Sequence, residues 1–298
     1  MCPEAPCGQS GTASSARSLA CLGPEGSFSH LLAGKLKAGE GERIGPIVPL
    51  PSIGEVFDYL ATQPDALGLV PIENSSGGFI IDTVDRLLDE RCQLQIQEEL
   101  TLEVRLALMG KASTQQVLQI HSHAMPFFHC DEWLQQHYPK VQRVTASSTA
   151  AAAMAVQAST ITQGLSAIGP GPTAAAYGLQ ILCEHIAPEV LNLTQFYLIG
   201  HGAGACSNPA QRTALAVDLP DRPGSLCRFL TPLSQAGINL KRLESRPLRG
   251  KPNQYRFFLE LEGEPAQDCF LEALEQTRRD GAQLRVLGSF AAHRRFLS

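Results

Sequence analysis

The sequence predicts an α/β protein in two parts, a longer one with mostly parallel strands and a shorter one with the order βαββαβ. Three observations carry this prediction. From Leu19 to about residue 203, short apolar runs alternate with small polar turns and amphipathic helix-like segments, the pattern of strand–helix units. From residue 212 the order changes to strand (TALAVDL), helix (LCRFLTPLSQAG), two strands (INLKRLESRPL, YRFFLELEG), helix (DCFLEALEQTRRDG) and strand (QLRVLGSF), a ferredoxin-like arrangement. The charge balance shifts at the same place: residues 212–298 hold 14 Lys+Arg against 10 Asp+Glu, and residues 1–211 hold 10 against 19. The boundary therefore falls near 204–211, in the loop-like GAGACSNPAQ.

In chain order, residues 1–18 are rich in Ser, Gly and Pro and lack the basic start and apolar core of a secretory signal; they read as a disordered tail. Residues 19–203 form the first region. Its clearest strand–turn–helix units are ARSLACLGPEGSFSHLLAGKL, DALGLVPIENSSGGFIIDTVDRLLDE, VQRVTASSTAAAAMAVQ and GLSAIGPGPTAAAYGLQIL. The alanine run at 150–155 favours a helix packed closely on a sheet, and the single tryptophan, Trp133, reads as a packing residue. Residues 212–298 form the second domain.

The bulk numbers exclude several classes. A length of 298 residues with 44% hydrophobic content suffices for two cores. No apolar stretch reaches the roughly 18 residues that span a bilayer, so no membrane partner is expected. Nine cysteines stand singly with no CxxC pair, which argues against a disulfide framework or a structural zinc site and for a reduced cytoplasm. The basic excess after residue 212 is small and dispersed, which argues against nucleic-acid binding. His121, His123, His129 and Cys130 lack a partner at zinc-ligand spacing, so no metal is expected.

In parallel α/β sheets ligands sit beyond the carboxyl ends of strands, which makes the four turns the candidate site elements. Each gathers Ser, Thr, Asn or Gly where a helix begins, offering backbone N–H groups, hydroxyls and the positive end of a helix dipole. Taken singly, Ser27, Ser75, Ser148 and Thr173 are ordinary N-caps; together the turns suit an anion.

These residues also carry a resemblance. GPEGSF (23–28), VPIENSSGG (70–78), SSTAAAA (147–153), AAAYGL (174–179) and NLTQF (192–196) occur in the order and approximate spacing seen in prephenate dehydratases. Residues 212–263, with ESRP at Glu244–Pro247, resemble the ACT regulatory domain of that family. The resemblance implies a bilobal catalytic region like a periplasmic binding protein plus an ACT domain. It implies conversion of prephenate to phenylpyruvate with loss of water and carbon dioxide, in L-phenylalanine biosynthesis, with no metal or organic cofactor. Because aromatisation drives the reaction, the catalyst has only to orient a dianion and help a poor leaving group depart.

Thr194 is the residue expected to donate to the departing hydroxyl. Asn74, Ser75, Ser148 and Thr149 are expected to donate to carboxylates, with Glu73 orienting them or relaying a proton. Gly23, Pro24, Gly26, Ser27, Gln195 and Phe196 complete the expected substrate site, although Phe196 reads equally well as a core residue. The resemblance further implies that two ACT domains pair, in a homodimer or homotetramer, and bind L-phenylalanine between them as a feedback inhibitor. Gly224, Ser225 and Leu226 on the first loop, with Asn239, Leu240, Glu244, Ser245 and Arg246, would line that pocket. Nothing before residue 19 resembles a further helical domain, so a stand-alone enzyme without a chorismate mutase segment is expected.

Three positions depart from the family pattern. Gln195 stands where the family usually has Arg, Met125 where it tends to have Gln, and Leu106 where it has His. Gln brings two neutral donors and no charge, so a carboxylate contact there would weaken by about 1.5–3 kcal/mol. Two rival functions follow: a prephenate or arogenate enzyme with an altered product, and an inactive bilobal ligand sensor.

Overall fold

A computed structural model of the chain describes residues 16–112, 116–187, 192–202, 210–248, 250, 254–263 and 268–298. The first lobe opens with β1 (Arg17–Leu22), α1 (Phe28–Glu40), β2 (Ile44–Leu50), α2 (Ile53–Thr62), β3 (Leu67–Asn74), the short β4 (Gly78–Phe79), α3 (Ile81–Leu88) and β5 (Leu94–Glu103). The chain then passes into a second lobe of β6 (Leu106–Gly110), β7 (Gln119–Ser122), α4 (Ala124–His129), α5 (Asp131–His137), β8 (Gln142–Thr145), α6 (Thr149–Ala158), β9 (Leu165–Pro170), α7 (Gly171–Ala176) and β10 (Gln180–Cys183). It returns to the first lobe with β11 (Leu193–His201). The C-terminal domain is β12 (Arg212–Asp218), α8 (Ser225–Gln235), β13 (Leu240–Pro247), β14 (Tyr255–Glu262), α9 (Asp268–Arg279) and β15 (Gln283–Leu297).

Local chemistry explains the helix starts. Ser27, Ser52 and Ser148 each accept a backbone N–H three residues on (His30, Glu55, Ala151), satisfying donors that have no intrahelical acceptor. Leu32 and Leu36 of α1, one turn apart, are buried together, as the helical period requires.

Two lobes and a βαββαβ domain are thus as expected, but three details differ. The sheets of the first region are mixed: β1 pairs β2 and β3 in parallel, and β7 pairs β8 and β9 in parallel, whereas β11 runs antiparallel to β3 and β5, and β6 to β9 and β10. The antiparallel members are β6 and β11, the first strands after each crossing between the lobes. β1 begins at Arg17, two residues inside the expected tail; residues 1–15 lie outside the described residues. The last strand does not end at Phe290. β15 pairs β12 as far as Phe290 and then β5 from Ala291 to Leu297, joining the two parts into one sheet of order β13-β14-β12-β15-β5-β11-β3-β1-β2. Gly288 permits the change of partner: at φ +152°, a Cβ there would lie 2.3 Å from the Ile96 carbonyl oxygen.

The core follows this arrangement. Leu19, Leu69, Leu100, Phe196 and Leu198 pack with Leu108, Ile120, Phe127 and Ile168 of the second lobe, on the cleft side of the large sheet. On its other side Val70, Ile72 and Tyr197 pack with α2, α3 and with Ala214, Ala216, Phe258 and Phe290 of the C-terminal domain. That domain's own core lies between its sheet and helices α8 and α9.

Candidate active site

Strand direction brings the expected turns to facing edges. β1 and β3 end, and the antiparallel β11 begins, at one edge of the first lobe, which carries residues 23–27, Asn74–Ser75 and Thr194. The parallel β7, β8 and β9 end at one edge of the second lobe, ahead of α4, α6 and α7. Contacts cross between the edges: Thr173 Oγ1 donates to the Gly26 carbonyl at 2.8 Å and Tyr177 Oη to the Glu25 carbonyl at 2.6 Å.

At the first-lobe edge a chain of side chains has a fixed direction. Asn74 Oδ1 accepts the backbone N–H groups of Ser76 (3.0 Å) and Gly77 (3.1 Å), which can only donate. Asn74 Nδ2 must therefore face outward as a donor, and it reaches Thr194 Oγ1 at 2.9 Å and Asn192 Oδ1 at 2.8 Å. Asn192 in turn presents Nδ2 to His129 Nδ1 at 2.7 Å. His129 must accept there, so it is neutral with its proton on Nε2, and burial lowers its pKa in keeping with that form. Since Thr194 Oγ1 already accepts from Asn74, its own proton is left to donate, and no described residue takes it. Ser75 clamps the start of β11: its N–H donates to the Leu193 carbonyl at 2.8 Å and its Oγ accepts the Leu193 N–H at 3.0 Å. Across the cleft, Ser148 caps α6 through its lone pair, keeping its hydroxyl proton; Thr149 is buried beside it. Helix α6 turns its partly positive N-terminus to the same edge.

Several expected residues stand elsewhere. The Glu73 carboxylate does not touch the cleft groups, because a β-bulge shifts the register between Gln195/Phe196 on β11 and Pro71–Glu73 on β3. The extra residue, Ile72, turns Glu73 to the back of the sheet, where Arg242 Nε donates to Glu73 Oε2 at 2.6 Å. Gln195 pairs with Glu73 and with Thr101, sharing their face. It therefore lies behind Thr194, not in the cleft, and the expected loss of a carboxylate contact there does not arise. Phe196 is 1% exposed and belongs to the core beneath the site.

In the turn of residues 23–27 the donors of Gly23, Gly26 and Ser27 are taken within the turn and its neighbours. The Gly23 N–H donates to the Leu50 carbonyl (2.7 Å), the Gly26 N–H to His30 Nδ1 (3.3 Å), the Ser27 N–H to the Pro24 carbonyl (3.1 Å) and Ser27 Oγ to the Leu22 carbonyl (2.9 Å). Pro24 has no N–H. Leu106 is buried in the core at the start of β6. Met125 lies against the Gly77 turn: a Cβ on Gly77 would be 3.6 Å from its Cε. His121 lies at 3.3 Å from Gln119 and His123 caps α4, so the histidines of this segment have separate roles.

In the C-terminal domain β12 and β13 run parallel, both antiparallel to β14. Gly224, with φ +77°, and Ser225–Leu226 open α8 beyond the end of β12, level with Glu244–Arg246. Asn239 and Leu240 sit at the opposite end, where Asn239 Nδ2 donates to Glu262 Oε2 at 2.9 Å. One chain thus does not assemble the expected effector pocket.

Asn192 and the role of His129 went unread in the sequence. Asn192 lies two residues before Thr194, the period that puts strand residues on one face, and that spacing was the available signal.

A family model described as prephenate dehydratase matches residues 19–203, and one described as ACT domain matches residues 213–279. A bifunctional chorismate mutase/prephenate dehydratase of Stutzerimonas stutzeri is 33% identical over 272 residues, 91% of this chain and 72% of that protein. A prephenate dehydratase of Amycolatopsis methanolica is 31% identical over 276 residues, 92% of this chain and 88% of that one. Among solved structures, a prephenate dehydratase from Arthrobacter aurescens in complex with L-Phe is 27% identical, with a TM-score of 0.80, covering 92% of this chain and 89% of that one.

Proposed function

The chain belongs to the prephenate dehydratase family, and we propose that it converts prephenate to phenylpyruvate with Thr194 as the donor to the departing ring hydroxyl. The observation that carries this reading is the directed chain from the backbone N–H groups of Ser76 and Gly77 through Asn74, which leaves the Thr194 hydroxyl one lone pair occupied and its proton free. A Thr hydroxyl is a weak acid, and a donor aimed in advance at the place where charge develops is the arrangement that serves a poor leaving group. Ser148 and the first turn of α6 face the substrate carboxylates. Asn192 and neutral His129 hold Asn74 from the side. The reading of an enzyme with an altered product loses its motive, since Gln195 lies behind the cleft.

The C-terminal domain is the seat of inhibition by L-phenylalanine in this reading, at a pocket completed by a second copy. Strand β13 supports it: β13 ends the large sheet and carries Glu244–Arg246, so two domains can meet along it. The six described cysteines are all free thiols and no described helix is long and apolar enough to cross a membrane, which suits a cytoplasmic enzyme.

The test is turnover of prephenate by the purified protein, followed as phenylpyruvate absorbance in alkali, with and without L-phenylalanine. Thr194→Ala is expected to abolish turnover and to leave prephenate binding measurable. Undiminished turnover in that variant would remove Thr194 from the mechanism; prephenate binding without turnover in the unaltered protein would select the sensor.

A further inference from the structure

Two cations cross from the C-terminal domain to the back of the first lobe's sheet, and one of them, Arg242, reaches the strand that carries Asn74. Arg242 of β13 has a side chain 4% exposed. Its Nη1 donates to Glu99 Oε2 of β5 at 2.6 Å and to Glu260 of β14, and its Nε donates to Glu73 Oε2 of β3 at 2.6 Å. Arg212 Nη1 bonds the same inner carboxylates, Glu99 at 2.9 Å and Glu260 at 2.7 Å, and the Tyr197 hydroxyl donates to Glu260. Arg212 and Arg242 already balance Glu99 and Glu260. Glu73 is a fifth, surplus charge, half outside the cluster at 31% exposure, so neutrality does not explain its bond to Arg242.

Position does explain it. Glu73 and Asn74 are consecutive, one behind the sheet and one in front, immediately after a bulge; the ladder resumes beyond it, with Asn74 opposite Thr194 and Ser75 bonded to Leu193, so the face that each side chain takes depends on the bulge staying at Ile72. The neighbouring strand β4 has two residues, and the cross-strand residue Gln195 brings no charge. We infer that Arg242 is a positioning residue for the cleft: by holding the Glu73 carboxylate it fixes the end of β3, and so keeps the Asn74 amide on Thr194 Oγ1. The regulatory domain thereby supplies part of the catalytic geometry, from the strand that also carries Glu244–Arg246. Ligand binding that shifts β13 thereby reaches the leaving-group donor through Arg242 and Glu73.

This inference rests on the reading of Thr194 and Asn74 given above, and the experiment separates the two. Turnover of prephenate is measured for Glu73→Gln, Arg242→Gln, Gln195→Arg and the pair Arg242→Gln/Gln195→Arg. Glu73→Gln leaves the inner four charges paired and is expected to lower kcat about tenfold, with KM within about twofold. Arg242→Gln is expected to do the same, and Gln195→Arg, which places a guanidinium across the strands from Glu73, to restore kcat in that background. A Glu73→Gln enzyme with unaltered kcat overturns the inference, as does a folded Arg242→Gln enzyme that Gln195→Arg fails to restore. Should Arg242→Gln not fold, the Glu73→Gln result decides alone. An inactive Thr194→Ala beside an unaffected Glu73→Gln sinks only this inference; an active Thr194→Ala sinks the site reading beneath it.

Discussion

Asn74→Asp reverses the direction of the chain that leads to Thr194 and sets a carboxylate oxygen against Asn192 Oδ1, which Asn74 Nδ2 holds at 2.8 Å, so the Asn192 amide must turn over as well. The carboxylate still accepts the N–H groups of Ser76 and Gly77, held at 3.0 and 3.1 Å in the unaltered protein, so the turn survives. The 2.9 Å contact with Thr194 can persist only if the hydroxyl turns round and donates to the introduced carboxylate. To serve the leaving group, Thr194 must then break a bond to a charged acceptor, which is worth about 1.5–3 kcal/mol. That corresponds to about a 10- to 150-fold fall in kcat. The added negative charge also repels a doubly negative substrate, raising KM. The assay is phenylpyruvate formation over a range of prephenate, with a denaturant midpoint to confirm the fold. A kcat within about threefold of the unaltered enzyme would refute the assignment of Thr194 as a donor aligned by Asn74.

Two further outcomes follow from the same geometry. His129 must be neutral to accept from Asn192, and burial holds its pKa below the ordinary value. kcat is therefore full above about pH 6.5 and falls as pH drops through the lowered pKa, when Nδ1 gains a proton and stops accepting. His129→Gln, which offers a non-titrating acceptor, should flatten that acid limb, and an unchanged limb would exclude His129 as its source. Gly26 has φ +77°, and a Cβ there would lie 2.9 Å from Tyr177 Cε2; Gly26→Ala should lower stability by about 1–3 kcal/mol. The denaturant midpoint reads this directly, and an unshifted midpoint would show that residues 23–27 are not the strut between lobes.

The residues that meet at the cleft were legible where motif and strand order agreed. Asn74 and Thr194, far apart in sequence, fall at the ends of adjacent strands in any sheet that places VPIEN beside NLTQF. Which face each neighbour takes was not legible. Alternation along VPIEN and NLTQF gives no sign of the extra residue at Ile72, yet that residue sends Glu73 and Gln195 behind the sheet. The turn of residues 23–27 misled for another reason: the donors of Gly23, Gly26 and Ser27 are present, but carbonyls and a ring nitrogen of their own neighbourhood take them. The far half of β15 was invisible because AAHRRFL lacks a plain strand pattern and becomes a strand through its pairing with β5.

The buried cluster at the junction is better understood as register than as stability. Withdrawing several charges from water is opposed by desolvation, and replacing such clusters with apolar side chains is often neutral or favourable. The opposition is visible here: burial first, and then the like charge of Glu260, push the Glu99 carboxyl up. The apolar packing of Val70, Ile72, Phe258 and Phe290 around it is non-directional and would tolerate small slips between the domain and the lobe. Arg242 and Arg212 would not, because each must meet carboxylates from strands on both sides of the junction at hydrogen-bond distance. A continuous sheet through β15 then makes the second domain an extension of the first and not a tethered sensor. Movement at β13 then bears on the first lobe where the side chains of that strand are held, at Glu73 at the end of β3, at Glu99 of β5 and at Asp85 of α3.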